Sequence, residues 1–464
     1  MFNKYKKIHF IGIGGIGISA VAKWAHLEGI EISGSELEIT PITREFAELG
    51  IDIIIGHDKE NVPKDADLVV YSFAVPASNP ERGLRPEKSY FEFLGELTRD
   101  YKLIAVSGTN GKSTTTAMLG KILVDAGLDP IVVVGSKINA FSHGNFNYGK
   151  GDIAVVEACE HNAHMLKLHP WSVVLTNIEA DHLDFYKNLD NILKAFGEFA
   201  GKVKKDGFLV YNADDKNTIG FPKPDSIKKV VYGVHEDAEF RFEERHIDKG
   251  AQFFEVLEKN EKIGKAELQI PGEFNAYNAM AAFATARKLG VSPAKILESL
   301  KAFEGLWRRF EKVGEYDGAP VISDYGHHPH AIEGTLLAAR EFYPDRRVVL
   351  AFEPHQHHRT KALFEDFVRA FDGADVLILS EIYNVSGRIE EKDRDISSHK
   401  LADAVVEYWE TDENKKESKK HKLFYCENLK ETEKLLREEI KKDDVVIIMG
   451  AGDIYKVAER LCGI

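Results

Sequence analysis

Apolar residues fall in short continuous runs rather than in long alternating tracts. The runs recur at Ile8–Ile13, Leu68–Tyr71, Leu103–Val106, Ile131–Val134, Ile153–Val156, Val173–Leu175, Val348–Phe352, Val376–Leu379 and Val445–Met449. Unbroken apolar runs of this length fit strands buried on both faces of a parallel sheet. Between several of them lie segments with helical spacing, such as Thr114–Ala126 and Leu363–Phe371. Few alternating hairpin strands are evident. The pattern predicts an α/β chain, doubly wound, with the arrangement repeated in more than one domain.

Length supports the repetition. At roughly 100–200 residues per domain, 464 residues make about three domains. The pattern breaks at Pro80–Pro86 before a new strand at Leu103, and again at Gly305–Arg309. These breaks place the domains at 1–100, 101–305 and 306–464. The charged stretches Arg388–Asp395 and Glu410–Lys422 read as solvated surface. Lys4, Lys6 and Lys7 precede an apolar stretch from Ile8 to Ala22, which superficially resembles a signal peptide. That stretch holds four glycines in phosphate-loop spacing, so it reads as strand, turn and helix. No run is long enough to span a membrane.

Charge narrows the partners. There are 61 Lys and Arg against 75 Asp and Glu, a net of −14, so a nucleic-acid-coating role is excluded. A small anionic ligand needs only local donors and is not excluded. The three cysteines, Cys159, Cys426 and Cys462, form neither a disulfide framework nor a zinc pattern, which fits a reducing cytoplasm.

Two glycine motifs carry the chemistry. Gly12, Gly14, Gly15 and Gly17 follow the first strand and open a helix, which is the dinucleotide fingerprint in its proper context. Glu36 lies where an acid meets a ribose hydroxyl. The motif reports a diphosphate, not which nucleotide carries it. The second motif is Gly108-Thr109-Asn110-Gly111-Lys112-Ser113-Thr114, a P-loop with Val106 in place of the usual leading glycine. Its backbone N–H groups cradle phosphates, Lys112 neutralises β/γ oxygens and the Ser113 hydroxyl binds Mg²⁺. Glu157 ends an apolar strand, where P-loop enzymes hold a second Mg²⁺ contact. In the segment Thr176–Asp184, the acids around His182 make a second metal site plausible. Asn275 and Asn278 stand three apart, on one helix face.

Taken together, the motifs resemble the Mur ligases, the ATP-dependent amide-forming enzymes that build the peptidoglycan stem peptide. GTNGKST matches that family's ATP loop. TNIEADHLDFY, WRRFE, SDYGHHP and FEPHQHHRT are similar to the member that acts first, joining L-alanine to UDP-N-acetylmuramate. The resemblance implies a three-domain architecture: an N-terminal Rossmann-like domain for the UDP-sugar, a central P-loop ATPase domain, and a C-terminal Rossmann-like domain for the amino acid. It implies ATP and Mg²⁺, a cytoplasmic enzyme, a monomer or homodimer, and closure of the domains before chemistry. It implies that Lys112 holds the ATP phosphates, that Ser113 and Glu157 bind one Mg²⁺, and that His182 binds a second. Asn275 and Asn278 would lie near adenine and phosphates, Arg309 and Asp324 would contact ATP, and His328, His355 and Arg359 would serve the amino acid. Asp324 or a histidine of the GHHP turn would accept the amine proton.

The chain departs from the family pattern in places. Asn110 and Ser113 replace the His and Thr of GTHGKT. EACEHNAHML stands where EADESDASFL is usual, Gln356 replaces an Arg, and YNVSGRIEE replaces YAAGE. Ligation of Gly, Ser or a recycled peptide to the same sugar nucleotide therefore stays open. Two readings from other classes are a nicotinamide-dependent oxidoreductase, which leaves GTNGKST unexplained, and a P-loop sensor of UDP-sugar.

Overall fold

The structure is a computed structural model that describes residues 4–248, 250–384, 395–411 and 421–464, and the side chain of Asp184 is not described. Most of the two charged stretches, and YNVSGRIEE from Val385 on, lie outside the described residues.

Three sheets form. The first contains β1 (Lys7–Ile11), β2 (Glu31–Glu36), β3 (Ile53–Ile55), β4 (Leu68–Tyr71) and β5 (Glu87–Ser89), in the order β3-β2-β1-β4-β5. All its pairs are parallel. The chain winds to one side of β1 and then to the other, so the turn after β1 sits at a topological switch point, where open α/β sheets bind ligands. β1 stops at Ile11, two residues before the apolar run ends, because Gly12 takes a left-handed φ of 71° and turns the chain.

The second sheet has ten strands. They are β6 (Lys102–Ser107), β7 (Ile131–Val133), β8 (Phe146–Asn147), β9 (Ile153–Glu157), β10 (Ser172–Leu175), β11 (Phe208–Asn212), β12 (Lys228–Gly233), β13 (Phe240–Asp248), β14 (Ala251–Glu258) and β15 (Glu261–Leu268). Their order is β15-β14-β13-β12-β11-β10-β6-β9-β7-β8. β6 lies between β10 and β9, both parallel to it, so the P-loop that follows it also occupies a switch point. The last three strands escape an apolar-run criterion because their burial alternates or is partial, as in Phe240–Asp248. The helix expected at 114–126 runs Lys112–Asp125, starting at the lysine itself.

The third sheet contains β16 (Glu311–Tyr316), β17 (Ala319–Asp324), β18 (Arg347–Phe352), β19 (Val376–Ser380), β20 (Lys422–Cys426) and β21 (Asp444–Met449). Its order is β16-β17-β21-β18-β19-β20, antiparallel only at β16. The helix expected at 363–371 runs Phe364–Ala370, and a further short helix, His357–Ala362, precedes it.

The chain divides into two compact units. One comprises Met1–Arg245, Phe254–Glu267 and Ala276–Phe303, and the other His246–Phe253, Leu268–Asn275 and Glu304–Ile464. In the first, residues of the β1–β5 sheet and of the second sheet share one hydrophobic cluster, from Ile8 through Trp24 and Leu103 to Phe199. In the second, clusters cover both faces of the β16–β21 sheet, which is why its central strands are apolar throughout.

Candidate active site

The P-loop is built from backbone that only glycine tolerates. Gly108 has φ 135°, and a Cβ there would stand 2.1 Å from Thr176 Oγ1. Gly111 has φ 81°, and its Cβ would meet Asn278 Oδ1 at 2.2 Å. Gly111 caps the helix that begins at Lys112, so free N–H groups and the positive helix end face the loop.

The segment after β10 braces this loop. Thr176 Oγ1 donates to Asn110 O at 2.5 Å, Asn110 N donates to Asn177 Oδ1 at 2.9 Å, and Glu179 N donates to Thr109 Oγ1 at 2.8 Å. The first residues of TNIEADH thus shape the phosphate loop. His182, further along, takes a left-handed φ of 52°. Backbone strain of this kind collects at functional sites.

Lys112 is a buried ion-pair partner. Its Nζ donates to Gly108 O at 2.7 Å, Thr109 O at 2.8 Å and Glu160 Oε1 at 2.9 Å. Burial disfavours its charge, but the Glu160 carboxylate outweighs that and raises Lys112 above the ordinary lysine value. In the sequence Glu160 stands out only as part of the EACEHNAHML departure. A carboxylate three residues past a strand end gives no local signal that it faces a lysine 48 residues earlier. His182 Nε2 lies 3.8 Å from Glu160 Oε1 and 3.6 Å from Asp181 Oδ2.

Glu157 ends β9 as expected, and its Oε2 accepts the Gly135 N–H at 2.8 Å. Ser113 is buried in the first turn of the P-loop helix. Among the described residues, no three His, Cys, Asp or Glu side chains are gathered to hold a metal. The donors nonetheless suit Mg²⁺, since a hydroxyl and a carboxylate are hard oxygen ligands. Mg²⁺ commonly completes its shell with water and substrate phosphates rather than a protein cage.

Asn278 reaches the P-loop: its Oδ1 accepts from Thr115 Oγ1 at 3.3 Å. Asn275, on the same helix (Glu273–Lys288), donates its Nδ2 to Pro271 O at 2.7 Å. The two asparagines therefore do different work despite their spacing.

At the first glycine motif, Glu36 faces the backbone of the loop. Its Oε2 accepts the Gly14 N–H at 2.9 Å and its Oε1 the Leu37 N–H at 2.8 Å. The carboxylate thus occupies a backbone donor of the glycine loop. The cause is proximity: a Cβ at Gly14 would lie 2.7 Å from Glu36 Oε2. Gly15 and Gly17 complete the turn into the helix Ile16–Leu27.

In the second unit, Asp324 and His328 fall at and just past the carboxyl end of β17, and His355 and Arg359 follow that of β18. Asp324 ends β17 and is buried. Its Oδ2 accepts from Phe310 N at 2.8 Å and its Oδ1 from Gly326 N at 2.6 Å. Burial raises its pKa against the pull of Arg309. Both carboxylate oxygens thus hold backbone, so Asp324 organises the Arg308–Phe310 turn. Arg308, not predicted, is buried and donates to Gly450 O and Gly452 O, while Arg309 lies over the Tyr325 ring at 5.0 Å.

His355 stacks on Tyr383 at 5.5 Å and receives Arg359 Nη1 at 3.2 Å, and His327 lies 5.9 Å from it. His328 caps the helix Pro329–Phe342. Gln356 has φ 72°, a left-handed turn that sets the histidines around it. Glu353, also missed from sequence, is buried, and burial pushes it up to about 7.

Family models match three consecutive stretches. Residues 7–102 match the Mur ligase family, catalytic domain; 106–286 the Mur ligase middle domain; and 308–452 the Mur ligase, glutamate ligase domain. The chain belongs to the Mur ligase family. A relative from Sulfurihydrogenibium sp. (strain YO3AOP1), UDP-N-acetylmuramate--L-alanine ligase, is 39% identical over 99% of this chain and 97% of its own. The enzyme of the same name from Clostridium botulinum (strain Hall) is 39% identical over 98% and 97%. The crystal structure of UDP-N-acetylmuramate-alanine ligase from Thermotoga maritima superimposes with a TM-score of 0.82 at 29% identity, covering 98% of both chains. A murein peptide ligase from Psychrobacter arcticus shares the fold, with a TM-score of 0.70 at 22% identity over 98% of both chains.

Proposed function

We propose that this protein is a cytoplasmic enzyme of peptidoglycan precursor synthesis that joins L-alanine to the lactyl carboxylate of UDP-N-acetylmuramate, with ATP as the driving substrate. The observation that carries this reading is its likeness, over nearly its whole length, to ligases of that name. It agrees with a P-loop whose lysine is already charged and paired at a switch point.

In this reading residues 1–100 hold the sugar nucleotide, 101–305 hold ATP and 306–464 hold the amino acid. The glycine loop binds the diphosphate through N–H groups at a helix N-terminus, and Glu36 leaves Gly14 N to make room. ATP phosphates take Lys112 from Glu160 and the loop carbonyls. The lactyl carboxylate attacks the γ-phosphate, giving an acyl phosphate and ADP. The amine of alanine then attacks the acyl carbon, and phosphate leaves. A free carboxylate is a poor acyl donor, so phosphorylation supplies the leaving group. The protein's share is positioning and charge neutralisation. Ser113, Glu157 and His182 would hold Mg²⁺, which supplies further neutralisation of phosphate charge.

Arg359 and His355 receive the amino acid, with His328 beside them. Asp324 is occupied by backbone, so the amine proton goes instead to His327. Burial, together with Arg359, keeps His327 well below the ordinary histidine value and therefore neutral. Its Nδ1 faces Tyr325 O at 3.1 Å. A carbonyl only accepts, so Nδ1 carries the hydrogen and Nε2 keeps its lone pair for the proton.

The test is phosphate release with UDP-N-acetylmuramate against all twenty amino acids. L-Alanine is expected to give the highest kcat/KM, with no release when either substrate is omitted. Release without the sugar nucleotide, or preference for another amino acid, overturns the reading.

A further inference from the structure

EACEHNAHML places two imidazoles beside the P-loop, and the fold uses them as flat plates. The His161 ring lies parallel to His182, with centroids 4.1 Å apart and planes 10° apart. Phe73 meets His161 edge-on at 5.1 Å and 70°. The same phenyl ring meets His164 at 4.7 Å, and His164 stacks on Phe91 at 4.3 Å and 12°. His164 Nε2 is buried without a hydrogen-bond partner, and burial brings His164 down to about 4. With that nitrogen unbonded, the His164 imidazole packs here as an aromatic ring.

The two ends of the stack matter. His182 stands by Glu160, the partner of Lys112. Phe73 belongs to the turn after β4, which presses on the first glycine motif: a Cβ built at Gly12 would lie 3.1 Å from both Ser72 Cβ and Val75 Cγ2. The stack therefore runs from the glycine loop to the residue pair beside the phosphate loop, all within one compact unit.

We propose that His161 is a positioning residue that fixes the plane of the His182 imidazole beside the Lys112–Glu160 pair, and that Phe73 backs it from the glycine-loop side. The proposal rests on the ligase reading above. His182 sits on a left-handed residue at the start of a short turn, with Glu160 and Asp181 near its Nε2. A parallel ring at 4.1 Å restrains the plane of the imidazole. Aromatic pairs of this kind are worth enough to change a rate by about tenfold.

The experiment is steady-state kinetics of the full chain carrying His161→Ser, His161→Phe or Phe73→Leu. His161→Ser should lower kcat by about tenfold, with KM for ATP within about threefold of the parent. His161→Phe keeps a flat ring in the stack and should return kcat to within about threefold. Phe73→Leu should fall between them and raise KM for the sugar nucleotide. A thermal unfolding midpoint checks each variant. Should His161→Ser not fold, His161→Asn replaces it, because it also removes the ring but leaves a polar side chain. An unchanged kcat in the ringless variant overturns the proposal, as does a His161→Phe enzyme as slow as it. A parent enzyme that makes no product overturns the ligase reading instead, and an active parent with indifferent variants overturns only the stack.

Discussion

Lys112 shows how a single side chain is prepared for its ligand. In the structure it neutralises Glu160 and caps two loop carbonyls, so its charge is retained in a buried place at no net loss of partners. In the proposed reaction a triphosphate competes for the same ammonium. Lys112→Ala leaves Glu160 buried without its lysine and removes the cation that the proposed reaction sets against the phosphates. Turnover is expected to drop by at least about 10³-fold, while binding of UDP-N-acetylmuramate, followed by calorimetry, stays within a few fold. Loss of sugar-nucleotide binding in a folded variant contradicts the division of labour between the two glycine loops. At this scale the sequence was informative about the lysine and silent about its partner. GKST announces itself within four residues, whereas the pairing with Glu160 depends on β6 and β9 lying side by side.

Among elements, the β1–β5 sheet is tied by one carboxylate. Glu81, fully buried, accepts from Ser35 Oγ at 2.5 Å, Asn61 Nδ2 at 2.7 Å and the Asp58 N–H at 3.2 Å, with His9 Nε2 and His57 Nδ1 each at 3.3 Å. Burial opposes its charge, but the hydrogen bonds from His9, Ser35 and Asn61 win and bring it to about 2 from the usual 4.5. A carboxylate depressed in the folded state stabilises above its unfolded value, and that stabilisation disappears as pH falls toward the folded value. Glu81→Gln should thus cost about 3 kcal/mol near neutral pH, measured by denaturant unfolding. The gap to the parent should close between about pH 4.5 and pH 2. A gap independent of pH contradicts the ionised network. The element-level pattern was largely readable: nearly every apolar run became a strand. The strands outside those runs, β2, β3, β5, β8, β11–β17 and β20, were missed: half-buried ones such as β13 and β15 carry a weaker apolar signal, and buried β17 is interrupted by Pro320, Ser323 and Asp324.

At the scale of the whole molecule, the first unit joins two sheets through a polar seam as well as a shared apolar cluster. Lys23, 2% exposed, extends from the helix Ile16–Leu27 to Glu45 at 2.6 Å, His143 O at 3.1 Å and Asn145 Oδ1 at 3.2 Å. Lys137 reaches Glu45 from the same side at 2.6 Å. Burial lowers the pKa of Lys23 despite Glu45. Lys23→Ala leaves Asn145 and a carbonyl without this donor, although Glu45 keeps Lys137. The expected loss is about 2 kcal/mol, read as a lower unfolding midpoint, and Lys23→Met should recover part of it by restoring the buried stem. Equal stability of the alanine variant contradicts a role for the seam.

By itself the sequence determined the α/β class, the two glycine turns and the family. Each of these is written in a few adjacent residues, as a glycine where φ must be positive or an apolar run where a strand is covered on both faces. Only the tertiary structure decided who pairs with whom. It put Glu160 on Lys112, Glu36 on the Gly14 N–H, Asn275 on a carbonyl and Asp324 on two backbone amides. It also set His161 flat against His182. These partners lie up to dozens of residues apart and meet because strand order and switch points bring them together, and the nature of the adjacent residues does not encode that order.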